Sequence, residues 1–129
     1  MLAALIASRV PDVSPEVLPG REQLSAVATS IALRFRPARI VLFGSRGAGT
    51  STEGSDVDLL VVMETSLRPP EQAAHIRQSL KLQPPFGLDV LVRTPEQIGM
   101  GLRDGDLFIE DVMVRGAILY EASDAGLDG

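Results

Sequence analysis

The feature that most constrains the fold is a nearly continuous apolar run within residues 55–63, SDVDLLVVM. Such a run is typical of a strand that is covered on both faces of a sheet, whereas a strand with one wet face alternates between apolar and polar residues. Two further short apolar runs, at 38–44 and 86–94, are also predicted strands. We therefore expect a small sheet with helices packed against it.

Helical periodicity fills the stretches between these runs. Apolar residues recur at three- and four-residue intervals before Pro37, and the sequence from Thr94 to Gln97 is typical of a capping box. Asp106 is placed to cap a later helix that closes near Gly116. The predicted fold class is α/β (α+β), a small mixed sheet of about four strands flanked by helices. In chain order, the predicted elements are a helix at 21–35, strands at 38–44 and 55–63, a helix at 68–82, a strand at 86–94, helices at 94–104 and 105–116, and a strand at 117–122.

Length and composition set the domain organisation and exclude several classes of partner. We expect one domain over residues 21–122, preceded by an N-terminal extension with a short helix at 1–20 and followed by a loose tail at 123–129. A net charge of -5 with scattered basic residues disfavours long nucleic acid as a partner. The chain has no cysteine, which excludes disulfides. No membrane span or signal peptide is recognisable, so the expected location is the cytoplasm.

Acidic residues open the second predicted strand. Because successive side chains of a strand point to opposite faces, Asp56 and Asp58 lie on one face, about 6–7 Å apart along the chain. Two carboxylates on one face repel each other, whereas a bound divalent cation favours both charged forms. Hard oxygen ligands suit Mg²⁺ or Mn²⁺ better than zinc. The pair is therefore a predicted metal site.

Asp89 interrupts the strand at 86–94 in the same way. If this strand pairs with the strand at 55–63, three carboxylates meet at one end of the sheet, enough to hold two ions about 3.5–4 Å apart. One ion then positions phosphates and the other activates the attacking oxygen. Asp89 is either the general base or a ligand of the second ion.

The segment GSRGAG, residues 44–49, is a candidate phosphate loop. Glycine lets the backbone approach a phosphate closely, and successive N–H groups form an anion-binding nest. Ser45 adds a hydroxyl donor, and a helix that starts here would add a favourable dipole. Taken alone, the loop is as typical of a flexible hairpin connection.

Together these residues resemble a known family. The chain matches the GS-x10-DxD signature of the DNA polymerase beta-like nucleotidyltransferase superfamily: Gly44 and Ser45 are followed by ten residues and then by Asp56-x-Asp58. The strings LFGSRG and SDVDLLV, the acid in LDVLV and the late RGAILYE resemble its minimal nucleotidyltransferase branch. The resemblance covers roughly residues 22–121.

The resemblance implies a nucleotidyltransferase fold and transfer of a nucleoside monophosphate, with AMP from ATP expected, to a hydroxyl acceptor with Mg²⁺ or Mn²⁺. Minimal members often serve as antitoxins of all-helical HEPN-domain toxins, and some adenylylate a tyrosine of that toxin, so a HEPN-type toxin is the expected partner. A homo-oligomer is also compatible with the sequence. The implied site residues are Gly44, Ser45 and Arg46 for nucleotide binding and Asp56, Asp58 and Asp89 for catalysis and metal binding.

One position departs from the family pattern and keeps two other functions open. Family members commonly carry an arginine just before the glycine that aligns with Gly49, where this chain has Ala48. Arg46, two residues earlier, is the candidate to substitute for that arginine. Weaker neutralisation of phosphate charge would favour a catalytically inactive, nucleotide-binding antitoxin that occludes its toxin. A small-molecule nucleotidyltransferase, acting for example on an aminoglycoside, is the third hypothesis, although we expect the chain to be too short for the added substrate domain.

Two further groups of residues have simpler interpretations. His75, the only histidine, is expected at the surface of its helix. Phe108, Val112 and Met113 are expected in the core, and any of them that stays exposed would indicate a partner surface.

Overall fold

The computed structural model describes residues 21–44, 57–80 and 87–122. Its elements follow the predicted order and confirm the mixed α/β architecture. The helices are α1 (Arg21–Phe35), α2 (Pro69–Ser79), α3 (Pro95–Asp104) and α4 (Leu107–Arg115), and the strands are β1 (Arg39–Phe43), β2 (Val57–Val62), β3 (Leu88–Arg93) and β4 (Ala117–Glu121).

The four strands form one sheet in the order β3-β2-β1-β4. Strand β1 is antiparallel to both β2 and β4, whereas β2 and β3 run parallel. A parallel pair needs a crossover connection, which α2 provides. Because of these directions, the end of β1 and the starts of β2 and β3 lie at the same end of the sheet, which we call the site end.

Both faces of the sheet are covered, as the apolar run of β2 predicted. Val57, Leu59 and Val61 point to one face, where α1 and α2 contribute Ile31 and Ile76 to the larger core cluster. We call this the α1–α2 face. The opposite face, the α3–α4 face, carries a smaller cluster formed by Val41, Leu60, Val62, Ile98, Ile109 and Val112.

Helix α2 is shorter than predicted, because it ends at Ser79 rather than at residue 82. Leu80 has extended dihedral angles (φ −77°, ψ 117°), and its N–H donates to the carbonyl of Arg77. Ser79 Oγ donates to the carbonyl of Ile76 at 2.7 Å. Such local bonds compete with continuation of the helix, although the apolar periodicity of the sequence extends beyond Ser79.

Helices α3 and α4 form a tight hairpin whose caps were predicted correctly. Thr94 Oγ1 accepts from the N–H of Gln97 at 3.1 Å, and Gln97 Oε1 accepts from the N–H of Thr94 at 2.9 Å. Asp106 Oδ1 accepts from the N–H of Ile109 at 3.1 Å and starts α4. Gly105, between the helices, has φ +76°. These bonds fix where α4 begins, which sets the position of its first residues over the sheet.

The predicted N-terminal extension at 1–20 and tail at 123–129 lie outside the described residues. Within the described ranges, no helix is both long enough and apolar enough to cross a bilayer.

Candidate functional site

Three strands each contribute one side chain to a row across the site end of the α3–α4 face. Phe43 of β1 is the register partner of Asp58 in β2, and Asp58 is the register partner of Asp89 in β3. We call Phe43, Asp58 and Asp89 the site row. Neighbouring strands lie about 4.8 Å apart, so side chains at paired positions on one face are direct neighbours. The predicted pairing of the two acid-bearing strands is therefore confirmed.

The alternation of each strand explains why both carboxylates point to the same face. Val57 and Leu59, which flank Asp58, are buried on the α1–α2 face, and Leu88 and Val90, which flank Asp89, pack into the same cluster. The acids must then point to the α3–α4 face. Asp58 is half-buried and Asp89 is exposed.

Gly44 packs directly against the Asp58 carboxylate. Its φ is +75°, a left-handed conformation that residues with a side chain rarely adopt. A Cβ built on Gly44 would overlap Asp58 Oδ2 and lie 3.4 Å from Asp58 Cγ. Glycine is required here for its backbone angle and also for space. Sequence reasoning assigned Gly44 to phosphate binding and missed this contact with the acid.

An aromatic pair borders the acids on the side of β1. The rings of Phe43 and Phe108 meet edge to face, with centroids 5.5 Å apart and an interplanar angle of 81°. Phe108 lies in the first turn of α4 and is 38% exposed, so the core prediction is wrong for it, whereas Val112 is buried as predicted. Met113 is partly buried against the same cluster. Sequence reasoning did not assign Phe43 to the site. Its place at the end of β1 could have indicated it, because antiparallel pairing of β1 and β2 puts Phe43 opposite Asp58.

The structure brings three of the six predicted site residues together: Gly44, Asp58 and Asp89. The other three, Ser45, Arg46 and Asp56, lie outside the described residues, so their roles stay predictions. In the described ranges, no three His, Cys, Asp or Glu side chains cluster as a metal site. The predicted triad needs Asp56 as its third acid.

The two described acids fit a divalent cation by the chemistry of their donors. They offer hard carboxylate oxygens from neighbouring strands, the ligands that Mg²⁺ and Mn²⁺ prefer. Asp89 forms no ion pair with another described residue, and its exposure leaves the site accessible to solvent. Like charges at neighbouring positions of a sheet are destabilising, and a cation between them relieves that cost.

His75 is exposed on α2, as expected. Because α2 packs on the α1–α2 face, this helix lies across the sheet from the site row.

A family model described as a nucleotidyltransferase domain matches residues 24–119, a range that begins within α1, ends within β4 and contains every element between them. No curated protein matches the chain.

Proposed function

The chain belongs to the nucleotidyltransferase domain family, and we propose that it moves AMP from ATP to a hydroxyl group of a partner protein. Nucleotidyl transfer is the general function of the family. The choice of ATP, of a divalent cation and of a protein acceptor is our proposal, supported by the resemblance to minimal nucleotidyltransferases.

One observation carries the proposal: Asp58 and Asp89 are register partners at the sheet end where Gly44 packs on the Asp58 carboxylate. A structural role would favour opposite charges at paired positions, because like charges there cost stability. Two carboxylates held side by side are instead suited to a cation and to the phosphates that the cation binds.

We propose that Asp58 and Asp89, together with Asp56, hold Mg²⁺ or Mn²⁺. When bound, the ion supplies neutralisation of the charge on the transferring phosphoryl group. The Asp58 carboxylate occupies the space that a side chain at position 44 would need, so glycine at this position leaves the carboxylate in place. Gly44 and Ser45 would donate N–H and hydroxyl groups to the phosphates, and Arg46 would add positive charge.

Asp89 is suited to act on the acceptor, because it is exposed and lies on an outer strand of the sheet. The acceptor oxygen forms a bond to the α-phosphorus of ATP, and the bond from that phosphorus to the bridging oxygen breaks, which releases pyrophosphate. The proton of the acceptor hydroxyl passes to the Asp89 carboxylate, which acts as the general base.

We propose that the acceptor is a HEPN-type toxin and that the transfer makes this chain its antitoxin. The accessible position of Asp89 supports an acceptor that approaches as part of a large molecule. The same exposure is compatible with a small hydroxyl compound as acceptor. A test that distinguishes the two acceptors must therefore include the partner protein.

The test incubates the full chain with Mg²⁺, ATP labelled at the α-phosphate and the product of the adjacent gene. We expect label on that protein with the wild type and none with Asp58→Asn. Asp104→Asn is the matched control, because it removes the same charge from an exposed position on α3 and should transfer normally.

Equal labelling by wild type and Asp58→Asn would contradict the proposed site. Absence of labelling, with toxin neutralisation that survives Asp58→Ala and Asp89→Ala, would establish the non-catalytic antitoxin instead.

A further inference from the structure

The aromatic pair beside the acids has no role in the phosphoryl chemistry, yet it is part of the same row. Across the site end the order is Phe43, Asp58, Asp89, so aromatic surface lies on one side of Asp58 and a second carboxylate on the other. Phe108 extends this aromatic surface outward, with its ring centroid 5.5 Å from that of Phe43. The row spans about 10 Å, or two strand spacings.

We propose that Phe108, braced by Phe43, is the platform on which the nucleobase of the bound nucleotide stacks. This inference rests on the proposed function and adds to it the element that recognises the base. A nucleotide carries an aromatic ring at one end and a charged phosphate chain at the other, and the site end offers aromatic and acidic surface in the same succession. Stacking on an aromatic side chain is a common means of binding a base.

Phe108 is not one of the buried residues that anchor its helix on the sheet. Ile109 and Val112 are 3% and 2% exposed and hold α4 on the sheet, while Phe108 keeps 38% of its surface in solvent. An aromatic side chain that is partly in contact and partly in solvent can accept a second planar group.

The ring of Phe108 is also held in place before any ligand arrives. The N–H of Ile109 donates to Asp106 Oδ1 at 3.1 Å, which fixes the first turn of α4. The edge-to-face contact with Phe43 restricts the ring itself, because aromatic pairs favour this arrangement. A restricted platform loses little conformational freedom when a ligand binds.

Leu107 offers a matched control at the next position. It is 79% exposed, apolar and on the same helix, but it has no aromatic face. If the exposed start of α4 served to dock the acceptor protein, Leu107 would contribute as much as Phe108. Stacking of a base requires Phe108 alone.

The experiment uses the full chain, which has no tryptophan, so that Phe108→Trp introduces a single tryptophan whose emission can be followed selectively. Titration with Mg²⁺ and ATP should change its emission saturably, whereas inorganic tripolyphosphate with Mg²⁺ should bind in calorimetry without that change. In calorimetry, Phe108→Leu should weaken ATP binding at least about fivefold and leave tripolyphosphate binding unchanged. Leu107→Ala should leave both affinities unchanged.

The outcomes separate this inference from the proposed function. Equal weakening of ATP and tripolyphosphate by Phe108→Leu, or the same loss of ATP affinity in Leu107→Ala, overturns the stacking platform and leaves the transferase proposal intact. A silent tryptophan with normal ATP binding also overturns it. If the wild type binds neither ATP nor tripolyphosphate, both the proposed function and the stacking proposal are refuted. Circular dichroism of each variant separates loss of binding from loss of folding.

Discussion

Two pairs of charged register partners in the same sheet differ in the signs of their charges: one joins opposite charges and the other joins like charges. Arg39 of β1 and Glu121 of β4 are register partners with opposite charges, and Arg39 Nε lies 2.8 Å from Glu121 Oε2. Asp58 and Asp89 are register partners with like charges. The first pair lies at the start of β1, which we call the paired end, and the second lies at the site end.

The difference agrees with the separate roles that we propose for the two ends of the sheet. Opposite charges at paired positions stabilise a sheet by roughly 0.2–1 kcal/mol, and like charges destabilise it. The paired end is therefore arranged for stability. On the proposed function, the site end keeps two carboxylates together for the cation despite their mutual repulsion, a compromise that is common at functional sites.

Reversing one charge at each end should produce the largest contrast. Asp89→Lys should reduce nucleotidyl transfer on the order of 10²–10³-fold, because the variant lacks the carboxylate that we propose binds the cation and takes the acceptor proton. It should not lower the melting temperature, since it turns a like-charge pair into an opposite one. Transfer assays and thermal melts measure the two effects.

Glu121→Lys is the counterpart at the paired end. It should lower the melting temperature, because two positive charges then face each other, and leave transfer unchanged. Loss of transfer in both variants, or in neither, would contradict the division between the two ends.

Two glycines with the same backbone angle sharpen the comparison further. Gly44 has φ +75° and Gly105 has φ +76°, but a Cβ on Gly44 would overlap Asp58 Oδ2, whereas nothing lies within 4 Å of a Cβ on Gly105. Each alanine variant should lose about 1–2 kcal/mol of stability from the left-handed angle. Only Gly44→Ala should also lose transfer, by about 100-fold, because it displaces the carboxylate that we propose binds the cation.

Chemical denaturation and transfer assays of both variants test this prediction. Normal transfer by Gly44→Ala, or an equal loss in Gly105→Ala, would show that the contact between Gly44 and Asp58 has no functional role.

The smallest expected effects are the coupling energies of the two pairs, measured in double-mutant cycles without metal. Alanine substitution of Arg39 and Glu121 should give a favourable coupling under about 1 kcal/mol, because the side chains are 37% and 40% exposed and solvent screens them. The cycle for Asp58 and Asp89 should give an unfavourable coupling of similar size. Couplings of the same sign would refute the comparison.

Much of the fold could be predicted because it depends on local rules. The capping residues Thr94, Gln97 and Asp106 follow from their own neighbours in sequence, and the buried run of β2 indicates two covered faces. The predicted end of α2 lies too far along the chain, because the apolar periodicity continues past Ser79 while the backbone leaves the helical conformation there.

The site could be predicted where the alternation of side chains along a strand determines which face a residue occupies. Asp58 and Asp89 each interrupt an apolar strand near its start, so parallel pairing brings them together. The exposure of Phe108 was not predictable, because it depends on how α4 lies on the sheet. The contact between Gly44 and Asp58 depends on three-dimensional register, which no local pattern contains.

The central claim is that the acid pair at the site end holds a divalent cation, and binding of Mn²⁺ followed by electron paramagnetic resonance tests it most directly. The control variant Asp104→Asn/Asp111→Asn removes two carboxylates from exposed positions on α3 and α4. We expect the wild type and this control to bind Mn²⁺ equally well and Asp58→Asn/Asp89→Asn to bind it at least tenfold more weakly, about 1.4 kcal/mol or more. Equal binding by all three proteins would contradict the claim.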